Sequence, residues 1–290
     1  MPDPISYFDD LEDHIQSLLK TFEAKIPGVN DELIGIINDL YSELDRTGTN
    51  INASVNNLKA LNSFKTRIST TLENGSYGDA VKDFVSGYSS SADYLNNYFS
   101  AVSSTFKQSD ALYNAILQSN IQSTTQSLLG SGVDANFTDP VMNILRNQIT
   151  TGSSKAEFTQ SLKDVLIGDN SILHKYASQV SSDSISQFNS NYINTVSKDL
   201  GLAHYYYKGT KISDTRDFCR RIAGKYIAED DLKKYVQQQM LLNGGKGWQG
   251  MVKGENWTTF PIYRGGYNCR HYLIPVSKEL YDAATNIFYI

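Results

Sequence analysis

Little in this sequence carries reaction chemistry. Its 290 residues include two cysteines, Cys219 and Cys269, and four histidines. No Gly-x-Ser-x-Gly elbow and no His-Glu-x-x-His pair occurs, so the signatures of the esterases and zinc peptidases are missing. No histidine stands conspicuously beside a nucleophile, and an enzyme is not the expected class. Long apolar runs are absent as well: no window approaches the roughly 18 consecutive apolar residues of a membrane helix. Met1 to Asp10 has no basic stretch followed by an apolar one, so no secretory leader is expected there. Charged residues are few, at 20%, yet 40% of the chain is apolar, far from the composition of a disordered protein.

Ser, Asn, Gln and Thr take the surface places usually held by Lys and Glu, and 19 Tyr accompany them. Such a weakly charged surface suits crowded contacts. The charge is also unevenly placed. Residues 1 to 200 hold 13 Lys and Arg against 23 Asp and Glu, a net of -10, whereas residues 201 to 290 hold 13 against 8, a net of +5. An acidic body does not wrap nucleic acid along its length, because that binding rests on neutralising phosphates. The basic tail leaves room for a local DNA contact or an acidic partner.

Apolar residues at Phe8, Leu11, Ile15, Leu18, Phe22 and Ile26 alternate steps of three and four, the stripe of an amphipathic helix. Asp3 and Pro4 open it, and Pro27-Gly28 is expected to end it. A second stripe runs Leu33, Ile36, Ile37, Leu40 and Leu44. A third runs from Ile51 through Val55, Leu58, Leu61 and Ile68 to Leu72, with Gly75 as its stop. A fourth follows through Val81, Phe84, Tyr88, Leu95, Phe99, Val102 and Phe106. Stripes this narrow predict an elongated helical bundle over 1–130. A polar, glycine-containing stretch at 129–139 then leads into a helical connecting region over 131–200. There Asp139-Pro140 opens a helix, Ser154 and Glu157 form a capping box, Gly168 closes the helix behind it, and a further helix covers about 172 to 200.

The pattern changes at Gly201. Leu202 to Tyr207 reads as a strand, with Tyr205 to Tyr207 as sheet core and edge, and a turn follows at Lys208-Gly209. Glycine becomes frequent and both Trp appear, so residues 201–290 are expected to form a small α+β module that needs specific fastening. The fold class is therefore mainly α, an elongated helical body with a small C-terminal α+β cassette.

Within that cassette stand Ser213-Asp214-Thr215-Arg216-Asp217-Phe218-Cys219, then Ala223-Gly224-Lys225, then Gly245 to Gly250, and last Tyr263-Arg264-Gly265-Gly266-Tyr267-Asn268-Cys269-Arg270-His271 with Pro275-Val276. This order resembles the C-terminal domain of the phage Mu F-like minor head proteins, the head morphogenesis family of tailed bacteriophages, over about residues 172 to 276. Asp214, Arg216 and Cys219 match the family's first segment, Gly224 and Lys225 its middle, and Asn268, Cys269, Arg270 and His271 its last. Many relatives carry Cys-x-x-Cys and Cys-Arg-Cys where this chain has Ile222 and His271.

The resemblance implies a minor structural protein of a virion, at the portal or inside the head, made in the host cytoplasm, acting in head assembly and in some relatives accompanying DNA on ejection. Implied partners are portal or capsid proteins, with self-association through the helices and a local DNA contact through the tail. Two alternatives stand beside it: a DNA-contacting packaging or ejection factor, and an effector enzyme delivered from the virion. No catalytic residue is assigned. Cys219 and Cys269 are expected to meet, as a reduced pair, a disulfide or part of a metal site. No cofactor is expected; the alternative is a structural zinc on Cys219, Cys269 and His271, which lacks a fourth donor unless His204 supplies it. His271 otherwise reads as bonded to backbone, Arg216 and Arg270 as braces for loops with Asp214 and Asp217 as candidate partners, and Gly265-Gly266 as a turn. That glycine pair lacks the Gly-x-x-x-x-Gly-Lys-[Ser/Thr] spacing of a phosphate loop.

Overall fold

A computed structural model of the chain describes residues 4–107, 110–166, 171–267 and 269–290. The readings made at Asp3, Gly168 and Asn268 lie outside the described residues. The protein is mainly α with a small α+β part. The chain groups into two compact units: one comprises Met1–Ile15, Tyr88–Asn120 and Ser182–Ile290, the other Gln16–Gly87 and Ile121–Ser181. Helices α1 (Tyr7–Glu23), α4 (Ser76–Val102), α5 (Asp110–Leu129) and α9 (Ile172–Asp199) contribute residues to both. Among the described residues no helix is long and apolar enough to cross a membrane.

The second unit also holds α2 (Ile26–Glu43), the two-stranded hairpin β1 (Arg46–Thr47) and β2 (Asn50–Ile51), and α3 (Val55–Asn74). After these come the short turn α6 (Ser131–Val133), a π-helical turn over Asp134–Thr138, α7 (Asp139–Thr151) and α8 (Lys155–Leu166). Pro27 begins α2 instead of closing α1, which stops at Glu23. A proline lacks the N–H that a first helical turn leaves unbonded, so it marks a start as readily as a stop. Ile51 also departs from its expected helix: it lies in β2, and its N–H donates to the Ser153 carbonyl at 3.0 Å. Asn57 holds the hairpin to α3, its buried amide donating to the carbonyls of Asp45 and Asn52 and accepting from the Asp45 N–H.

The α8 capping box forms, with the Ser154 N–H donating to Glu157 at 2.8 Å and the Glu157 N–H to Ser154 at 3.4 Å. The polar boundary stretch 129–139 forms helical turns, and it buries Phe137 and Thr138 completely. Ile26, Leu33, Leu40, Phe64, Ile68, Leu145, Ile149 and Phe158 are all buried in this unit. At roughly 1.5–3 kcal/mol per fully buried large side chain, such stripes are what hold α2, α3, α7 and α8 together.

In the first unit a three-stranded antiparallel sheet has the order β4-β3-β5, from β3 (His204–Lys208), β4 (Tyr226–Ala228) and β5 (Tyr272–Val276). Tyr205 lies opposite Ile227 on one side and Pro275 on the other. Four short helices and one of middle length accompany its strands in the chain: α10 (Asp217–Ile222), α11 (Glu229–Met240), α12 (Leu242–Gly245), α13 (Phe260–Tyr263) and α14 (Lys278–Asp282). All five residues of β5 are buried. Phe8 packs edge-on against Tyr98 at 4.8 Å and lies 6.0 Å from Tyr272, while the Tyr98 hydroxyl donates to the Pro275 carbonyl. An edge strand containing proline is thus covered by helical residues from far along the chain.

Candidate cysteine and histidine site

Period-two alternation on β3 buries Tyr205 and Tyr207 and leaves Tyr206 half-exposed. Tyr205 and Tyr207 belong to a cluster with Phe218, Ile222, Ile227, Leu232 and Trp248. On α10, residues Phe218, Cys219 and Ile222 turn inward together, as positions one and four apart do on a short helix. Phe218 stacks on Trp248 at 4.4 Å, and the Tyr235 hydroxyl donates to the Phe218 carbonyl at 3.0 Å. These contacts fix α10 and, with it, the Cys219 sulfur.

The second cysteine arrives from the loop that precedes β5. Helix α13 ends at Arg264, whose φ of 58° is uncommon for a residue with a side chain. Arg264 is 3% exposed, donates to the His271 carbonyl at 2.7 Å, and sits over the Tyr272 ring. Arg216 donates from Nη1 to the Gly265 carbonyl at 2.7 Å and from Nη2 to the Tyr267 carbonyl. The Trp248 indole shares the Gly265 carbonyl at 3.1 Å. Gly265 and Gly266 form the expected turn, and Gly266, at φ 92°, passes so near Gly250 that a Cβ would stand 1.9 Å from its carbonyl oxygen.

The loop brings Cys269 to Cys219. Their sulfurs and a ring nitrogen of His271 all lie within 4.8 Å of one another, all three residues are buried, and both thiols are free. The Tyr207 hydroxyl stands 3.5 Å from the Cys219 sulfur and 3.7 Å from that of Cys269. The Gly265 N–H donates to Cys269 at 3.3 Å, and His271 Nδ1 is 3.8 Å from the same sulfur. The Cys219 thiol, then His271 and Arg264, hold Cys269 well below the usual thiol range against its burial. Cys219 is pushed up in turn, by the bond to Cys269 first and by burial second. The two thiols thus titrate as a pair, each shifting the other. A cleft of about 400 Å³ lies over the cluster, with Thr210, Asp214, Arg216 and Arg270 on its walls.

The other expected site residues supply no donor to the cluster. Asp214, Asp217 and Arg270 are exposed. Arg216 grips carbonyls, not the carboxylates of Asp214 or Asp217. Gly224 and Lys225 follow α10 and bond Tyr207 through backbone, Gly224 N–H to its carbonyl and its N–H to the Lys225 carbonyl. The His271 ring makes no bond to backbone among the described residues; its Nε2 is buried without a partner. His204 pairs in the sheet with Val276 and Ala228 and packs on Tyr281 at 4.5 Å, outside the cysteine group. Cys219, Cys269 and His271 are thus a three-donor set, which fits a soft divalent cation with one position left open and does not close a four-ligand structural centre.

Three participants carried no sequence signal for this site. From sequence, Tyr207 belongs to sheet core and edge, and Arg264 and Glu255 have no assigned role. Glu255 is 3% exposed, accepts from the Val252 N–H at 2.9 Å, and is pushed up to about 7 by burial. No protein-family model, curated protein or solved structure matches the chain.

Proposed function

We propose that this chain is a structural docking protein that performs no catalysis, and within that class a minor head protein of a tailed-phage virion, bound at the portal or inside the head. The observation that supports this reading is the use made of the cassette's motif residues. Arg216 closes the 265–267 turn through two carbonyls, Gly265 packs against both sulfurs, and Cys219, Cys269 and His271 converge beneath it. Each of these residues fastens one segment of the cassette to another, as a rigid docking module requires. The weakly charged, Ser- and Asn-rich surface of the helices fits contacts within a crowded particle.

The test is the composition of particles. Virions purified by density gradient from cells carrying the gene are expected to contain the chain in low, fixed copy number by quantitative mass spectrometry. Its absence from such particles removes the reading. A DNA contact is the second reading, favoured by the exposure of Lys211, Arg221 and Arg270 in the basic C-terminal 90 residues. It requires band shifts of the whole chain that weaken steeply with salt, since phosphate contacts release counterions.

A further inference from the structure

We propose that Cys219, Cys269 and His271 form a binding site for one zinc-class divalent cation, with its fourth coordination position open to the cleft above them. The donors arrive from two places: Cys219 from α10, and Cys269 and His271 from the loop between α13 and β5. Two sulfurs and an imidazole nitrogen nonetheless lie within 4.8 Å of one another. Two thiolates and a neutral imidazole around a divalent cation sum to zero charge, which removes the main cost of burying them.

The imidazole decides between this site and a disulfide. Joining the two sulfurs would account for two of the three convergent groups. It would leave the His271 ring, 7% exposed, with Nδ1 facing a sulfur that no longer carries a charge or a proton. A cation uses all three. The surroundings also suit bound thiolates: the Gly265 N–H points at Cys269, the Tyr207 hydroxyl reaches both sulfurs, and the buried Arg264 lies nearby. Such outer donors orient ligands and temper their charge.

Two glycines make the approach feasible. A Cβ on Gly265 would stand 2.4 Å from the Cys219 sulfur and 2.9 Å from that of Cys269, and a Cβ on Gly209 would stand 2.2 Å from the His271 ring. Main chain is therefore wrapped against all three donors at distances that side chains would forbid. The opening to the cleft gives the entry path.

The experiment titrates the fully reduced whole chain with Co²⁺ under anaerobic conditions. One equivalent is expected to bind with thiolate-to-cobalt charge-transfer absorption and to be displaced by Zn²⁺. Cys269→Ser and His271→Gln are expected to weaken binding by at least about tenfold. Circular dichroism shows whether each variant is folded; should Cys269→Ser fail to fold, the wild-type spectrum and His271→Gln carry the test. A folded wild-type chain that takes up no cobalt overturns the proposal, as do cobalt bands that persist unchanged in His271→Gln. Neither outcome touches the virion reading, which rests on the composition of particles.

Discussion

The backbone N–H of Gly265 donates to the Cys269 sulfur at 3.3 Å, on a main chain so close that an added Cβ would stand 2.9 Å from that same sulfur. Cys219 is nearer still, at 2.4 Å from the same point. Gly265→Ala must therefore push α10 and the 264–269 loop apart. Overpacking of a filled core costs about 1–3 kcal/mol, and the expected result is a lower urea midpoint with an unchanged denaturant slope. A loss of only a few tenths would mean that the loop yields freely and does not press on the sulfurs.

Arg216 holds that loop from the other side. Its two N–H donors close on the carbonyls of Gly265 and Tyr267, and Gly250 leaves room for the guanidinium, since a Cβ there would stand 2.6 Å from its central carbon. Arg216→Ala is expected to cost about 2 kcal/mol, reduced from the sum of two charge-assisted bonds because the side chain is half-exposed. Arg216→Lys keeps the charge but not the planar fork, so it is expected to restore less than half of that loss. Equal stability of the lysine and arginine forms in urea would show that charge alone matters there.

Much of the helical part was legible because an amphipathic stripe is a local signal. The steps of three and four from Leu33 to Leu44 correspond to α2, and Ser154 with Glu157 to the start of α8. Local signals fail where one residue has two uses. Pro27 ends or begins a helix equally well, and Ile51 has the right spacing for a helix yet is drawn into a hairpin by Ser153 and Asn57's partners. In the cassette, the motif residues stood out by their resemblance to a family pattern, but their spatial roles did not. Tyr207 reaches Cys269 across 62 residues of sequence, while Arg264 and Glu255 stand within 14 residues of Cys269 and act on it only through the folded loop, and no spacing rule encodes that. The cover over β5 by Phe8 and Tyr98 is equally invisible to periodicity.

That cover gives a stability prediction. The Tyr98 hydroxyl is the partner of the Pro275 carbonyl on an edge strand whose five residues are all buried. Tyr98→Phe keeps the ring against Phe8 and removes only the donor. Leaving a buried acceptor without its partner costs about 1–2 kcal/mol, read as a lowered thermal midpoint. Amide exchange along β5 should quicken in the same variant. Unchanged midpoint and exchange would assign the cover of β5 to ring packing alone.

Glu255 makes stability depend on pH. Burial is the chief cause that pushes its carboxyl up to about 7 from an ordinary 4.5; the Val252 N–H opposes that, charge on Cys269 adds to it, and Arg216 and Arg264 oppose it again. The folded state therefore keeps a proton that the unfolded chain releases between about pH 4.5 and 7. A state that binds the extra proton loses ground as protons become scarce, so this residue's contribution is most favourable below pH 4.5 and falls as pH rises to 7. At about 1.36 kcal/mol per pH unit across that window, the whole swing is about 3 kcal/mol. Glu255→Gln carries no titrating proton, so it is expected to be more stable than wild type at pH 8 and close to it at pH 5. Urea midpoints of both proteins at the two pH values decide the matter. A variant that tracks wild type at both would place the Glu255 carboxyl in contact with water.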